Sequence, residues 1–196
     1  MGRFIYGYIV LIDKFLKGCG MTITVDDAGS GDLLFGVVVG VYRNEGGYFR
    51  YDVVDVRFFQ PPLFKRKEYL QESCKLVLAL LDRIGVRESE EILVCTSYLF
   101  DQACEELCHT YGKERIKRVK VVGEPQRCVE TAYLDEVRNL GYEPMERREE
   151  ERGKSFFHML GWLKAHPERV KYAKTGWPRL SRYHLFKQVA GRHSKG

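Results

Sequence analysis

Residues 21–58 read MTITVDDAGSGDLLFGVVVGVYRNEGGYFRYDVVDVRF, and the spacing of apolar residues in this stretch decides the fold. Residues 21–26 (MTITVD) alternate as a strand does, 34–43 (LFGVVVGVYR) form a second β-rich run, and 48–58 (YFRYDVVDVRF) a third. The links are rich in Gly and Asn, so short turns can join the three as antiparallel neighbours. Pro61 and Pro62 then stop the sheet pattern.

Working outward, residues 67–84 place Leu70, Cys74, Val77, Leu78 and Leu81 at helical spacing with charges on the other side. After Gly85 comes a buried strand, ILVCTS at 92–97, and then a helix from about Asp101 to Tyr111. RVKVVG at 118–123 reads as a fifth strand, and Pro125 opens a helix that runs to about Leu140, where Gly141 stops it. The order from Met21 is βββαβαβα. It predicts an α/β fold, a mixed five-stranded sheet flanked by helices, because three antiparallel strands are followed by strand-helix crossovers.

This core spans 21–142. Residues 1–20 form an N-terminal extension whose apolar run, Phe4 to Ile12, is too short to cross a membrane and is interrupted by Asp13 and Lys14. Met21 offers an alternative start. Residues 143–154 (EPMERREEERGK) read as a charged link, and 143–196 as a whole as that link followed by a basic, aromatic helical extension.

With 44% hydrophobic and 30% charged residues, the chain has the composition of a globular domain, which argues against disorder. Net charge is +5 but unevenly spread. Residues 151–196 carry eleven Lys or Arg against two acids, a net +9, so residues 1–150 sum to −4. That asymmetry suits a carboxylate metal site that must meet a polyanion, although a solvated basic end would also produce it. The six cysteines form no dense, evenly spaced framework, so reduced thiols in a cytoplasmic protein are expected. Cys104 and Cys108, four apart, share a helix face and with His109 make a partial metal cluster, but no second cysteine pair supports it, and buried thiols are the expectation.

Asp26 and Asp27 pose the chemical question, since adjacent carboxylates repel. In a regular strand they point to opposite faces; a bend at Ala28-Gly29 would bring both near one cation. Gly29, Ser30 and Gly31 then offer backbone N–H groups and one hydroxyl with little bulk, suited to close approach of a sugar-phosphate chain. The same residues equally suit a tight turn.

The element order matches the ribonuclease H-like fold, and the motif resembles the type 2 ribonucleases H (HII and HIII). These carry D-E-x-G-x-G near the start of the fold, and the HIII branch often continues with an aspartate and a Phe-Gly pair before a hydrophobic strand. Here the text is Asp26-Asp27-Ala28-Gly29-Ser30-Gly31-Asp32, then Phe35-Gly36-Val37. The resemblance implies Asp26 as a metal-bridging aspartate, Asp27 in the place of the family's glutamate, and Gly29, Ser30 and Gly31 as the grip on a nucleic-acid strand. The sequence departs from the family after the fourth strand, where CTSYLF replaces an aspartate-glycine pair and Asp101 is the nearest acid. Glu124, directly after VKVVG, stands as counterpart of a later acidic position.

Asp26, Asp27, Asp101 and Glu124 are thus the expected catalytic and metal-binding set, holding Mg²⁺ or Mn²⁺ for in-line phosphodiester hydrolysis. Asp101 reads equally as a helix N-cap, and Glu124 as a first-turn acid favoured by the helix dipole. Asp32 reads as a turn residue, and Glu68 and Glu72 as a solvated helix face. In the tail, Lys154, Lys164, Lys174, Arg179 and Arg182 alternate with aromatics, a pattern that suits phosphate contact and base stacking. The expected partner is an RNA/DNA hybrid or structured DNA, with no membrane association. The alternatives are a DNA junction or damage endonuclease on the same fold, or a nucleic-acid-binding module without catalysis.

Overall fold

The computed structural model describes residues 21–148 and 150–187; the expected extension at 1–20 and the chain from residue 188 lie outside these. In chain order the elements are β1 (Thr22–Ala28), β2 (Val37–Arg43), β3 (Tyr48–Val54), α1 (Glu68–Ile84), β4 (Glu91–Cys95), α2 (Asp101–Tyr111), β5 (Ile116–Val119), α3 (Glu124–Asn139) and α4 (Arg152–Ala165). The sheet order is β3-β2-β1-β4-β5. β1 pairs antiparallel with β2 and parallel with β4, while β2 with β3 is antiparallel and β4 with β5 parallel. This is the mixed sheet that the element order predicts.

Alternation along the strands separates two cores. Ile23, Val25, Val37, Val39 and Val41 face the apolar sides of α1 and α2, packing on Val77, Leu81, Ala103 and Leu107. Ala28 and Val38 turn to the other face, where Val129, Tyr133 and Val137 of α3 join Met159, Leu160 and Leu163 of α4. The tail completes that second core with Val170, Ala173, Leu180 and Phe186. The tail from Phe156 to Phe186 therefore shares a core with the sheet, because most of the aromatic and aliphatic side chains between its basic residues point inward.

Several element ends differ from the sequence expectation, each for a local reason. β2 begins at Val37 because Phe35 takes a left-handed conformation (φ 65°), which a sheet strand cannot hold. β3 ends at Val54, since Asp55 accepts a hydrogen bond from the Arg57 backbone N–H and caps a 3₁₀ turn over Val56–Phe59. β5 spans Ile116–Val119, starting two residues and ending four residues earlier than expected; Val121-Val122-Gly123 lies beyond the pairing with β4 and leads into α3 through Gly123 at φ 80°.

No helix among the described residues is long and apolar enough to cross a membrane. The cysteines in this region, Cys74, Cys95, Cys104, Cys108 and Cys128, are free thiols.

Candidate metal centre and nucleic-acid interface

The loops after β1 and β4 leave the sheet from the same edge, because these two strands run parallel. In sheets of this kind the carboxyl ends of parallel strands are where ligands gather. Register fixes which residues meet there. Val25 stands beside Val94, so the next pair along is Asp26 and Cys95. The Asp26 and Asp27 carboxylates and the Cys95 sulfur offer ligand atoms that all lie within 4.8 Å of one another.

Burial governs the charge state of this group. Desolvation raises Asp26 from the usual carboxylate range to about 6, partly opposed by hydrogen bonds from the Cys95 thiol and the Asp27 backbone N–H. Asp27 is also raised by desolvation, against hydrogen bonds from the Ser30 and Ser97 hydroxyls and the nearby positive charge of Lys174. Burial, together with the two aspartates, pushes the Cys95 thiol up to about 12. Two carboxylates held in a desolvated place without a full counter-charge are an arrangement that a divalent cation relieves.

The loop behind the carboxylates is tightly specified. Asp32 N donates to Gly29 O at 3.1 Å and closes the turn. Gly29 has φ 85°, and a Cβ there would stand 2.2 Å from the Tyr133 ring; only glycine fits. Gly31 is exposed, and a Cβ there would meet nothing within 4 Å. Gly29→Ala should therefore lower stability by about 2 kcal/mol or more, and Gly31→Ala should change it by less than about 0.5 kcal/mol. Thermal unfolding of the two variants measures the contrast.

Lys174 is corrected by the structure. Expected among the exposed phosphate contacts, it is wholly buried, and its ammonium donates to the carbonyls of Gly29 and Asp32, the latter at 2.9 Å. Beside it the tail backbone locks onto the loop: Phe35 N donates to Tyr172 O at 2.7 Å, Lys174 N to Leu33 O at 2.9 Å, and Leu34 bridges Ala173. Asp32 is the turn residue expected, and its carboxylate also takes an ion pair from the buried Arg148, which reaches Glu130 as well.

Asp101 and Glu124 do not join the cluster. Asp101 opens α2 and accepts from Arg118 at 3.0 Å, and Arg118 also holds Ser97 O at 2.9 Å. Glu124 opens α3, pairs with Arg127, and lines a shallow groove with Phe49, Tyr51 and Cys128. Glu68 and Glu72 pair with Arg66 and Lys75 on the outer side of α1.

The remaining basic candidates are exposed: Lys154, ion-paired with Glu151, Lys164, Arg179 and Arg182. Arg179 lies over the rings of Trp177 (4.5 Å) and Phe156 (5.1 Å), and Arg182 over Tyr183 (5.3 Å). Nearer the carboxylates, Tyr98 is exposed, and the charge of Asp27 acts on its phenol.

Two members of the site escaped the sequence reading. Cys95 sits within ILVCTS and looks like an ordinary core thiol until strand order puts β4 beside β1. Ser97 carries no motif; its hydroxyl matters only because the β4 loop folds back over Asp27.

The sheet order and the helices on both faces define this chain as an α/β protein of the ribonuclease H-like fold. Among solved structures it is similar to Bst-RNase HIII in complex with Mn²⁺, at 14% sequence identity over 88% of this chain and 70% of that one, with a TM-score of 0.50. A mutant form of Bst-RNase HIII matches with 13% identity over 91% and 72%, at a TM-score of 0.49. The distant resemblance to the type 2 ribonucleases H is one of fold at this identity. No protein-family model and no curated protein matches the chain.

Proposed function

We propose that the protein is a divalent-cation-dependent nuclease that hydrolyses phosphodiester bonds in an RNA/DNA hybrid or structured nucleic acid. The observation that carries this is the convergence of Asp26, Asp27 and Cys95 at the carboxyl ends of β1 and β4. The Asp26 and Asp27 oxygens would hold the cation, whether Mg²⁺, Mn²⁺ or another divalent ion. When bound, such a cation lowers the pKa of a coordinated water and neutralises charge on the phosphate.

The chain's own residues do the rest. Ser30 and Ser97 fix the Asp27 carboxylate by hydrogen bonds, so its lone pairs are oriented before substrate arrives. The open flank at Gly31 lets a sugar-phosphate backbone come close to the loop, and Tyr98 offers a ring face at the same edge. Exposed Arg179 and Arg182 supply positive charge farther along the chain. A four-carboxylate, two-cation arrangement would require Asp101 to leave Arg118 and Glu124 to leave Arg127. Those two ion pairs favour a second reading, a nucleic-acid-binding module of the same fold without catalysis.

Labelled RNA/DNA hybrid, branched DNA and single-stranded DNA, each with Mg²⁺, Mn²⁺ or Zn²⁺, separate the readings. Cation-dependent cutting of one substrate is the expected result and names the nuclease type. Binding of the same substrates with no cutting under any cation would replace the nuclease by the binding module.

A further inference from the structure

We propose that the cation taken by this centre is a thiophilic divalent metal of the Zn²⁺ and Co²⁺ class, with the Cys95 sulfur as its third protein ligand. This rests on the reading that Asp26 and Asp27 hold a cation.

Mg²⁺ takes oxygen donors and gains nothing from sulfur, whereas a thiolate beside carboxylates selects borderline and softer cations. Tetrahedral zinc has bonds of roughly 2.3 Å to sulfur and 2.0 Å to oxygen, which places neighbouring ligand atoms about 3.3 to 3.6 Å apart. The three ligand atoms here lie within 4.8 Å of one another, so closing on such an ion needs a contraction of at most about 1.5 Å.

The sulfur is held in place by hydrogen bonds. Its thiol donates to Asp26, and the Ser97 backbone N–H donates to the sulfur. Burial and the two aspartates favour the thiol, so a cation on the sulfur is what would displace the proton, and the Ser97 N–H would then support the thiolate as hydrogen bonds around metal-bound thiolates do. On binding, the S–H proton leaves to solvent and sulfur takes up the metal in its place, so charge balances without an oxidant. Ser97 then serves both donors: its hydroxyl fixes Asp27 and its N–H fixes Cys95.

The experiment uses the full chain and the metal alone. Titration with Co²⁺ is expected to produce a near-ultraviolet thiolate-to-cobalt charge-transfer band, which Zn²⁺ displaces and Mg²⁺ does not. Cys95→Ser should abolish the band and weaken Zn²⁺ binding, measured by calorimetry, by roughly 10- to 100-fold. Asp26→Asn should also remove the band. A Cys104→Ser/Cys108→Ser variant, whose thiols lie elsewhere, should keep it, and this holds the test open should Cys95→Ser fail to fold. A band that persists in Cys95→Ser, a band lost with Cys104 and Cys108, or Zn²⁺ affinity indifferent to Cys95 would each overturn the proposal.

The two readings fail separately. Cleavage that Mg²⁺ supports in both the native chain and Cys95→Ser, with no cobalt band, would retire the thiolate ligand and keep the nuclease. A cobalt band with no cutting of any nucleic acid would do the reverse.

Discussion

Asp26→Asn should lose cation-dependent cleavage by about 10³-fold or more, since removing one charged ligand forfeits several kcal/mol of charge stabilisation in the transition state. The same change should make the metal-free protein more stable at neutral pH, which is the opposite of what loss of an ordinary structural aspartate does. Folding raises the Asp26 pKa from 3.8 to about 6, so the folded state binds this proton more tightly than the unfolded chain. Stability from the protonated form is present below about pH 4 and is lost as pH rises through about 6. Above that, the ionised carboxylate costs on the order of 3 kcal/mol. Asparagine escapes this cost. In the presence of a chelator, Asp26→Asn should unfold roughly 5–10 °C higher than the native chain at about pH 7.5, and the gain should shrink to nothing near pH 4. Thermal unfolding at the two pH values, beside a cleavage assay, measures both effects. An inactive variant that is also less stable at the higher pH would make Asp26 a structural group, and an active variant would remove it from the metal centre.

Lys174→Ala should be the most damaging change in the basic tail, costing about 2–4 kcal/mol at pH 7. It leaves a cavity and two carbonyls, those of Gly29 and Asp32, without their buried donor. An exposed phosphate contact would instead give a change within about 0.5 kcal/mol, which is the behaviour expected of Lys164→Ala. The pH dependence carries a second signature. Burial lowers the Lys174 pKa from 10.5 to about 7, against the pull of Asp32 and Asp27, so between these values the folded state holds fewer protons than the unfolded one. Native stability therefore rises with pH through this window. Alanine lacks that rise, and the damage done by Lys174→Ala should be larger at about pH 9.5 than at pH 7. Denaturant unfolding at both pH values tests it; a deficit that does not grow with rising pH would mean that Lys174 stays charged and well paired throughout.

Much of the fold was legible because it rests on local periodicity. The alternation in residues 21–26 and the helical spacing of Leu70, Cys74, Val77 and Leu81 survive any tertiary arrangement. The aspartate pair was legible too, since two adjacent carboxylates at a strand end are costly without a purpose. Cys95 was not, because its role comes from register between strands far apart in the chain, and a cysteine in an apolar run carries no outward sign of that neighbour. Asp101 took its place in the reading as the nearest acid, but Arg118, across on the β5 edge, holds it. Lys174 was misplaced for a related reason: in a run of cations it looks solvated, and the carbonyls that bury it lie in a glycine loop at the other end of the sequence.

The same tie between loop and tail bears on how the protein is made. The Lys174 ammonium grips a carbonyl 145 residues earlier in the chain. On a ribosome, the strands and the first helices can pair soon after they emerge, but the Gly29–Phe35 turn gains its holds in stages, from Tyr133 on Leu34 O, then Arg148 on Asp32, and last Lys174 on Gly29 O. The loop behind Asp26 and Asp27 is therefore complete only once residue 174 is present, and a chain stalled short of its tail carries the sheet without that last hold.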